Sequence, residues 1–173
     1  MQVHFNLPGW EIAGESEFLG WLQNEWNFEG GEGDIYIVII GHEEMKRMHQ
    51  HFLNKTGTTD VLAFDLMQSR TEMDLDFPEP EEDPSDTDWI RGEVYVNLEQ
   101  AIVQAKDYNN PIEEEAGRLA LHGMLHLAGW MDNDDALREK MGKRENEGLS
   151  RAGTDQDKMP WRIITSQSQG GNK

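Results

Sequence analysis

Residues 119–130 read LALHGMLHLAGW, and the only polar side chains in this run are those of His122 and His126. Two side chains four residues apart on a helix lie on the same face, one turn above the other. The apolar residues around them predict a buried helix. Because a buried polar group without a partner costs about 1–3 kcal/mol, both imidazoles need partners. A metal ion bound by both would supply one, although the spacing alone also arises by chance among six histidines.

The residues after this run provide a turn and a third ligand. Gly129 is suited to end the helix and reverse the chain, and Asp132 follows far enough behind it to fold back over the histidines. Two imidazoles and one carboxylate with an open fourth position are typical of a catalytic zinc site. The sequence therefore predicts one zinc ion per chain, held by His122, His126 and Asp132. Gly123 stands where a zinc protease of the His-Glu type has its general base, which argues against peptide hydrolysis.

Three segments together resemble a known family. Residues 122–130, HGMLHLAGW, resemble the His-Gly-x-Leu-His-Leu-x-Gly-aromatic signature of the YbeY family, whose members are metal-dependent endoribonucleases. Residues 59–64 (TDVLAF) and 92–97 (GEVYVN) resemble two strand motifs of the same family, in the expected order. A strand and a helix at 34–52 lie where the family has its second strand and second helix, so the resemblance covers roughly residues 2–149.

Two positions depart from the family pattern. Asp132 stands where the family usually has a third histidine, so the resemblance implies a catalytic and metal-binding set of His122, His126 and Asp132. A carboxylate binds zinc at about 2.0–2.2 Å, so metal binding is preserved. Leu53 stands where many members have an arginine that is expected to contact RNA or assist cleavage.

Four residues are candidates for substrate binding around the replaced arginine. The cations Lys55 and Arg47 are in a position to supply the missing charge. Thr59 and Asp60 are candidates to shape the cleft or to orient a histidine ligand from behind. For Asp60, a cap at the start of a strand is an equally good interpretation.

The resemblance implies a metal-dependent, single-strand-specific endoribonuclease that acts in ribosomal RNA processing, at the 3′ end of 16S rRNA, and in ribosome quality control. The expected partners are ribosomal RNA and the small ribosomal subunit with its proteins, and neither DNA nor a membrane is expected. Zinc would promote in-line attack by water or by the neighbouring ribose 2′-hydroxyl, and only the second leaves a cyclic phosphate.

Two rival functions come from other classes. One is a non-catalytic ribosome-assembly factor that uses zinc only to hold its fold, which the acidic composition and the missing arginine favour. The open fourth coordination position favours the enzyme instead, because structural zinc sites are usually closed. The weaker rival is a metal-dependent hydrolase of a small molecule or another ester.

Composition sets the remaining bounds. A chain of 173 residues fits one domain. It has no cysteine, which favours a reducing compartment, and it has no run of about 20 apolar residues and no pattern of a secretory signal. We therefore expect a cytoplasmic protein without disulfides.

The net charge of −19 is unusual for a protein that binds RNA, and much of it is local. Residues 71–90 contain nine acidic residues, three prolines and no Lys or Arg. This composition predicts a solvated acidic insert at about 68–90, between two strands. The insert has three alternative interpretations: a surface loop without a partner, an arm that shields the active site or binds a basic ribosomal protein, or a weak metal site.

The pattern of apolar residues predicts an α+β fold, in which about five helices pack on a small mixed sheet and one of them carries the metal site. Residues 1–151 form a single catalytic domain, and residues 152–173 are expected to be a disordered tail with a possible docking patch at 161–164. The predicted strands are 2–6, 34–40, 60–65 and 93–97, and the predicted helices are 15–26, 43–54, 98–108, 112–128 and 134–149.

Overall fold

The computed structural model describes residues 1–67, 90–153 and 158–165, so the acidic insert expected at about 68–90 lies almost wholly outside the described residues. The described strands are β1 (Gln2–Phe5), β2 (Trp10–Ala13), β3 (Asp34–Ile40), β4 (Val61–Asp65), β5 (Ile90–Asn97) and β6 (Arg162–Thr165). The described helices are α1 (Glu15–Phe28), α2 (His42–Leu53), α3 (Leu98–Tyr108), α4 (Ile112–Leu127) and α5 (Asp135–Ala152).

The main sheet is mixed and has the strand order β1-β3-β5-β4. Strands β1, β3 and β5 are parallel, and β4 is an antiparallel edge strand. The central strand β3 is buried on its Ile35 and Ile37 face, where both side chains are fully covered. A central strand that is apolar along most of its length is expected when parallel strands are covered by helices. This arrangement confirms the predicted α+β class with a small mixed sheet.

Helix α4 packs closely against this sheet and occupies the centre of the core. A Cβ atom added at Gly123 would lie 2.4 Å from Val94 Cγ1 and 2.9 Å from Val61 Cγ2. The helix backbone therefore approaches β4 and β5 more closely than any residue with a side chain would allow. The same contact explains why a glutamate general base is absent at this position, since its side chain would collide with the sheet. Among the described residues, no helix combines the length and the apolar composition needed to cross a membrane.

The expectation of a disordered tail is wrong for residues 158–165. Strand β6 pairs antiparallel with β2, and the Trp161 side chain is completely buried. Its indole stacks on Trp21 at a centroid distance of 4.9 Å, and its Nε1 donates a hydrogen bond of 3.1 Å to the Glu113 carbonyl oxygen. The expected docking patch thus binds within its own chain, because burial of a large aromatic side chain offsets the loss of chain entropy. Helix α5 also continues to Ala152, three residues past its predicted end.

We expect Trp161→Ala to lower the free energy of unfolding by about 3–5 kcal/mol, because it leaves a cavity beside α1 and α4. Urea denaturation followed by far-ultraviolet circular dichroism measures this loss. Trp161→Phe serves as the matched control, since it keeps an aromatic ring and loses only the hydrogen bond and part of the volume. Equal stability of the alanine variant and the unmutated protein would contradict the docked position of residues 158–165.

Helix α4 also buries a carboxyl group near its start. Glu115 is 3% exposed, and its Oε2 lies 3.6 Å from Nε of Arg118. Burial raises the pKa of Glu115, and the nearby charge and hydrogen bonds of Arg118 and Asn110 only partly reverse this effect. A carboxyl group whose pKa is higher in the folded state destabilises the fold as the pH rises from the unfolded-state pKa to the folded-state pKa.

We expect Glu115→Gln to raise the free energy of unfolding at about pH 7 and to have a much smaller effect at about pH 4, where the carboxyl group is mostly protonated in both states. Urea denaturation at the two pH values measures the difference. Glu114→Gln is the control, since Glu114 also pairs with Arg118 but is only partly buried. A gain for Glu115→Gln that is the same at both pH values would contradict the assigned pKa direction.

Candidate metal centre

The two histidines of α4 face each other at one end of the helix. The His122 and His126 Nε2 atoms are 3.0 Å apart, and the ring planes are almost perpendicular. This geometry follows from the helical repeat, which places side chains four residues apart on one face. Most of the remaining α4 side chains are buried in the core, so the histidine face is the one that opens to solvent.

The turn after α4 brings the third side chain to the histidines. Gly129 adopts φ +91°, and its N–H and that of Trp130 donate to the carbonyl groups of His126 and Leu125 at the end of the helix. The chain reverses here, and the Asp132 carboxylate oxygens come within 3.9 Å of His122 Nε2 and 4.0 Å of His126 Nε2. One ligand atom from each of the three residues lies within 4.8 Å of the others, as a shared metal ion requires.

The outer ring nitrogens have acceptor partners that fix the histidine tautomers. Nδ1 of His122 is 2.8 Å from Oε1 of Glu145, and Nδ1 of His126 is 3.0 Å from the carbonyl oxygen of Trp130. A carboxylate and a carbonyl group only accept hydrogen bonds, so each Nδ1 is the protonated nitrogen. Both Nε2 lone pairs are then free to bind a metal ion, and the three side chains fit that role.

The electrostatic surroundings of His122 favour positive charge. Burial alone lowers the pKa of His122, but the hydrogen bond to Glu145 and the charges of Glu145, Asp132 and Asp60 outweigh it, so the pKa is raised above its ordinary value. A site that attracts a proton in this way also attracts a cation at the same nitrogen.

His122 and Asp132 line an open cleft of about 580 Å³ between α3, α4 and α5. Asp60 lines this cleft, and its Oδ2 accepts a hydrogen bond of 2.9 Å from Gln104 Nε2. Its Oδ1 accepts from the backbone N–H of Val61, so Asp60 also caps the start of β4. Both interpretations of this residue are therefore compatible with the structure. Thr59 supports it from the side, with Oγ1 donating to Asp60 Oδ1 at 3.2 Å.

The structure places the two candidate cations elsewhere. Arg47 lies on α2, pairs with Glu44 and lines a separate groove on the outer face of that helix. Lys55 follows the end of α2, and neither residue is among those that line the metal cleft. The cations that do line it, among the described residues, are Arg118 and Arg138. Arg138 Nη2 donates to the Asp132 carbonyl oxygen at 3.3 Å.

Sequence reasoning missed Glu145, which contacts a candidate ligand directly. A signal for it exists in the sequence, because Met141, Glu145 and Leu149 are spaced four residues apart and share the buried face of α5. A glutamate in the middle of an apolar stripe needs a partner, and a buried histidine on a neighbouring helix is a suitable one.

Comparisons with known proteins identify the family of this chain. The sequence model of the family described as "Endoribonuclease YbeY" matches residues 15–153. An endoribonuclease YbeY of Flavobacterium psychrophilum is 29% identical over 149 residues, covering 85% of this chain and 94% of that protein. One from Salinibacter ruber is 33% identical over 116 residues, covering 67% of this chain and 68% of that protein. A solution structure from Thermotoga maritima is 26% identical, covers 86% of this chain and 90% of that one, and has a TM-score of 0.48. The match over most of the chain shows that this protein belongs to the YbeY endoribonuclease family.

Proposed function

We propose that this protein is a metal-dependent endoribonuclease that cuts single-stranded RNA, with one zinc ion held by His122, His126 and Asp132. The observation that carries the proposal is the convergence of two imidazole nitrogens and one carboxylate at the edge of an open cleft. Nitrogen and carboxylate donors suit zinc, and three protein ligands leave a coordination position open for catalysis. Family membership supports RNA as the substrate.

Zinc in this site supplies Lewis acidity, which stabilises negative charge at a phosphate oxygen or activates the attacking oxygen. The protein contributes orientation and local charge. Arg138 holds the turn that carries Asp132 and lies at the rim of the cleft, where it also pairs with Asp135 at 2.8 Å. Arg118 lies deeper, between the carboxylates of Glu114 and Glu145, so most of its charge is already neutralised.

The cleft offers more to nucleobases than to the phosphate backbone. Its ring of polar side chains includes the amides of Gln104, Asn110 and Asn146, and the Tyr108 side chain is 67% exposed beside them. Exposed aromatic rings bind unpaired bases by stacking, and amides form hydrogen bonds with base edges. This lining favours binding of an unpaired RNA strand through its bases. The net charge of −19 opposes attraction of the phosphate backbone of the RNA.

We propose ribosomal RNA as the natural substrate, with maturation of the 16S rRNA 3′ end and ribosome quality control as the process. The small ribosomal subunit and its proteins are the proposed partners, and the cytoplasm is the proposed location. Thr59 and Asp60 remain proposed substrate-side residues because Asp60 lines the cleft. Arg47 lies on α2 and Lys55 lies just after it, and neither lines the metal cleft. We propose that both contact a more distant part of the RNA.

We expect the zinc-loaded protein to cut a single-stranded ribosomal RNA fragment, and we expect His126→Ala and chelator treatment each to abolish cleavage. His49→Ala is the matched control, since His49 lies on α2, outside the lining of the metal cleft, and its Nδ1 is 3.3 Å from the Gly57 carbonyl oxygen. Analysis of the product ends separates attack by water, which leaves a 5′-phosphate, from attack by the 2′-hydroxyl, which leaves a cyclic phosphate.

Zinc binding without cleavage of any RNA would contradict the proposal and favour the non-catalytic assembly factor, which the leucine at position 53 also favours. Turnover of model esters with no cleavage of RNA would favour a small-molecule hydrolase. Unchanged cleavage by His126→Ala would show that the active site lies elsewhere.

We expect Tyr108→Ala to weaken binding of a single-stranded RNA by about 1–3 kcal/mol through loss of base stacking, whereas Tyr108→Phe keeps the ring and retains the affinity. Fluorescence anisotropy with a labelled oligonucleotide, recorded on zinc-loaded protein, measures both. Equal affinities of the alanine and phenylalanine variants would rule out stacking at this position.

A further inference from the structure

Two adjacent residues of α5 lead, by separate routes, to the outer nitrogens of the two candidate histidine ligands. On the basis of the metal role proposed above, we propose that Arg144 and Glu145 are positioning residues that hold both ligand imidazoles with Nε2 directed at the metal. Helix α5 contributes no ligand itself, because His122 and His126 belong to α4 and Asp132 precedes α5.

The first route is direct. Glu145 is 8% exposed, and its Oε1 accepts the hydrogen bond from Nδ1 of His122 at 2.8 Å. Its other oxygen, Oε2, lies 3.7 Å from Nη1 of Arg118. Arg118 is held in turn by Glu114 at 3.0 Å and by the Asn146 side-chain oxygen at 2.7 Å. The carboxylate therefore has a partner on each side and cannot rotate without losing one of them.

The second route is longer and passes through Glu29, the residue that follows α1. Arg144 is 4% exposed, and its Nε donates to Oε1 of Glu29 at 2.5 Å. The other oxygen of Glu29 accepts a hydrogen bond of 2.8 Å from Nε1 of Trp130. The carbonyl oxygen of Trp130 accepts from Nδ1 of His126 at 3.0 Å. Glu29 thus fixes the indole of Trp130, and Trp130 in turn holds the carbonyl group that orients His126.

Both imidazoles are constrained in rotation before any metal arrives. A histidine ligand whose outer N–H is fixed binds a metal in one orientation and one tautomer, and loss of such a partner typically lowers metal affinity about 10–100-fold. A purely structural role is the alternative: Arg144 also pairs with Glu25 at 2.8 Å and ties α5 to α1. The two roles differ because a structural tie affects unfolding and leaves the metal affinity of the folded protein unchanged.

The first test replaces Glu145 by methionine, which is similar in size, accepts only weak hydrogen bonds and tolerates burial. We expect Glu145→Met to weaken zinc binding about 10–100-fold in a competition titration with a chromophoric chelator. Glu145→Gln keeps an amide oxygen as acceptor and should lose less than about tenfold. The visible absorption of the Co²⁺-loaded protein should change for methionine and stay close to the unmutated spectrum for glutamine.

Two controls separate positioning from folding. His49→Ala changes a histidine on α2 that belongs to neither route, and we expect its zinc affinity to equal that of the unmutated protein. Trp130→Phe cuts the second route at the Glu29 contact and should lower zinc affinity, whereas Glu25→Gln weakens only the tie between α1 and α5 and should change stability alone. Thermal unfolding of the metal-free variants shows which of them are folded.

Equal zinc affinity and an unchanged Co²⁺ spectrum in folded Glu145→Met and Trp130→Phe would overturn the positioning role. If Glu145→Met does not fold, a zinc affinity of folded Trp130→Phe equal to that of the unmutated protein overturns it. Failure of the unmutated protein to bind zinc or Co²⁺ is a different result, because it rejects the metal site itself.

Discussion

A neutral imidazole presents the lone pair of one nitrogen to a metal while the other nitrogen carries the proton, and this outer N–H almost always has an acceptor that orients the ring. This requirement governs the arrangement of the protein around its candidate metal centre. Glu145 and the Trp130 carbonyl group are the two acceptors that meet it. Helix α5 must therefore lie alongside α4, and the chain must turn sharply after α4. Glu29, which follows α1, accepts a hydrogen bond from the Trp130 indole, so the position of α1 depends on the same requirement.

The close approach of α4 to the sheet is the second constraint. At Gly123 the helix backbone touches the side chains of β4 and β5, so one face of the helix is in the core while the histidine face meets the cleft. A helix with this division of roles has little room for substitution. Its apolar residues pack in the core, and its two histidines are candidate metal ligands on the opposite face. The same chain segment thus explains both the packing of the domain and the place of its proposed activity.

Much of this organisation could be predicted because its signals are local. The helices and the four strands of the main sheet follow from periodicities within each segment, and their observed bounds mostly lie within two or three residues of the predicted ones. His122 and His126 share one helix, and Asp132 follows a glycine turn, so all three were accessible from spacing. The strands β2 and β6 were missed because they pair with each other, Trp10 with Thr165, across almost the whole chain, and no local pattern indicates such a pairing. Glu145 was missed for a similar reason: its partner lies 23 positions away on a different helix. Arg47 and Lys55 do not line the cleft, so their proposed contacts with RNA stay a prediction.

The docking of β6 bears on how the protein is made. Every candidate metal ligand precedes Trp161 in the order of synthesis, yet the buried indole contacts Phe18 and Trp21 of α1 and holds the first turn of α4 through Glu113. A nascent chain therefore possesses the complete ligand set while one side of its core is still open to water. Final closure of the domain depends on a segment of eight described residues, 158–165, synthesised after all the other described elements. During translation, the candidate ligand set is therefore synthesised before the segment that completes the core.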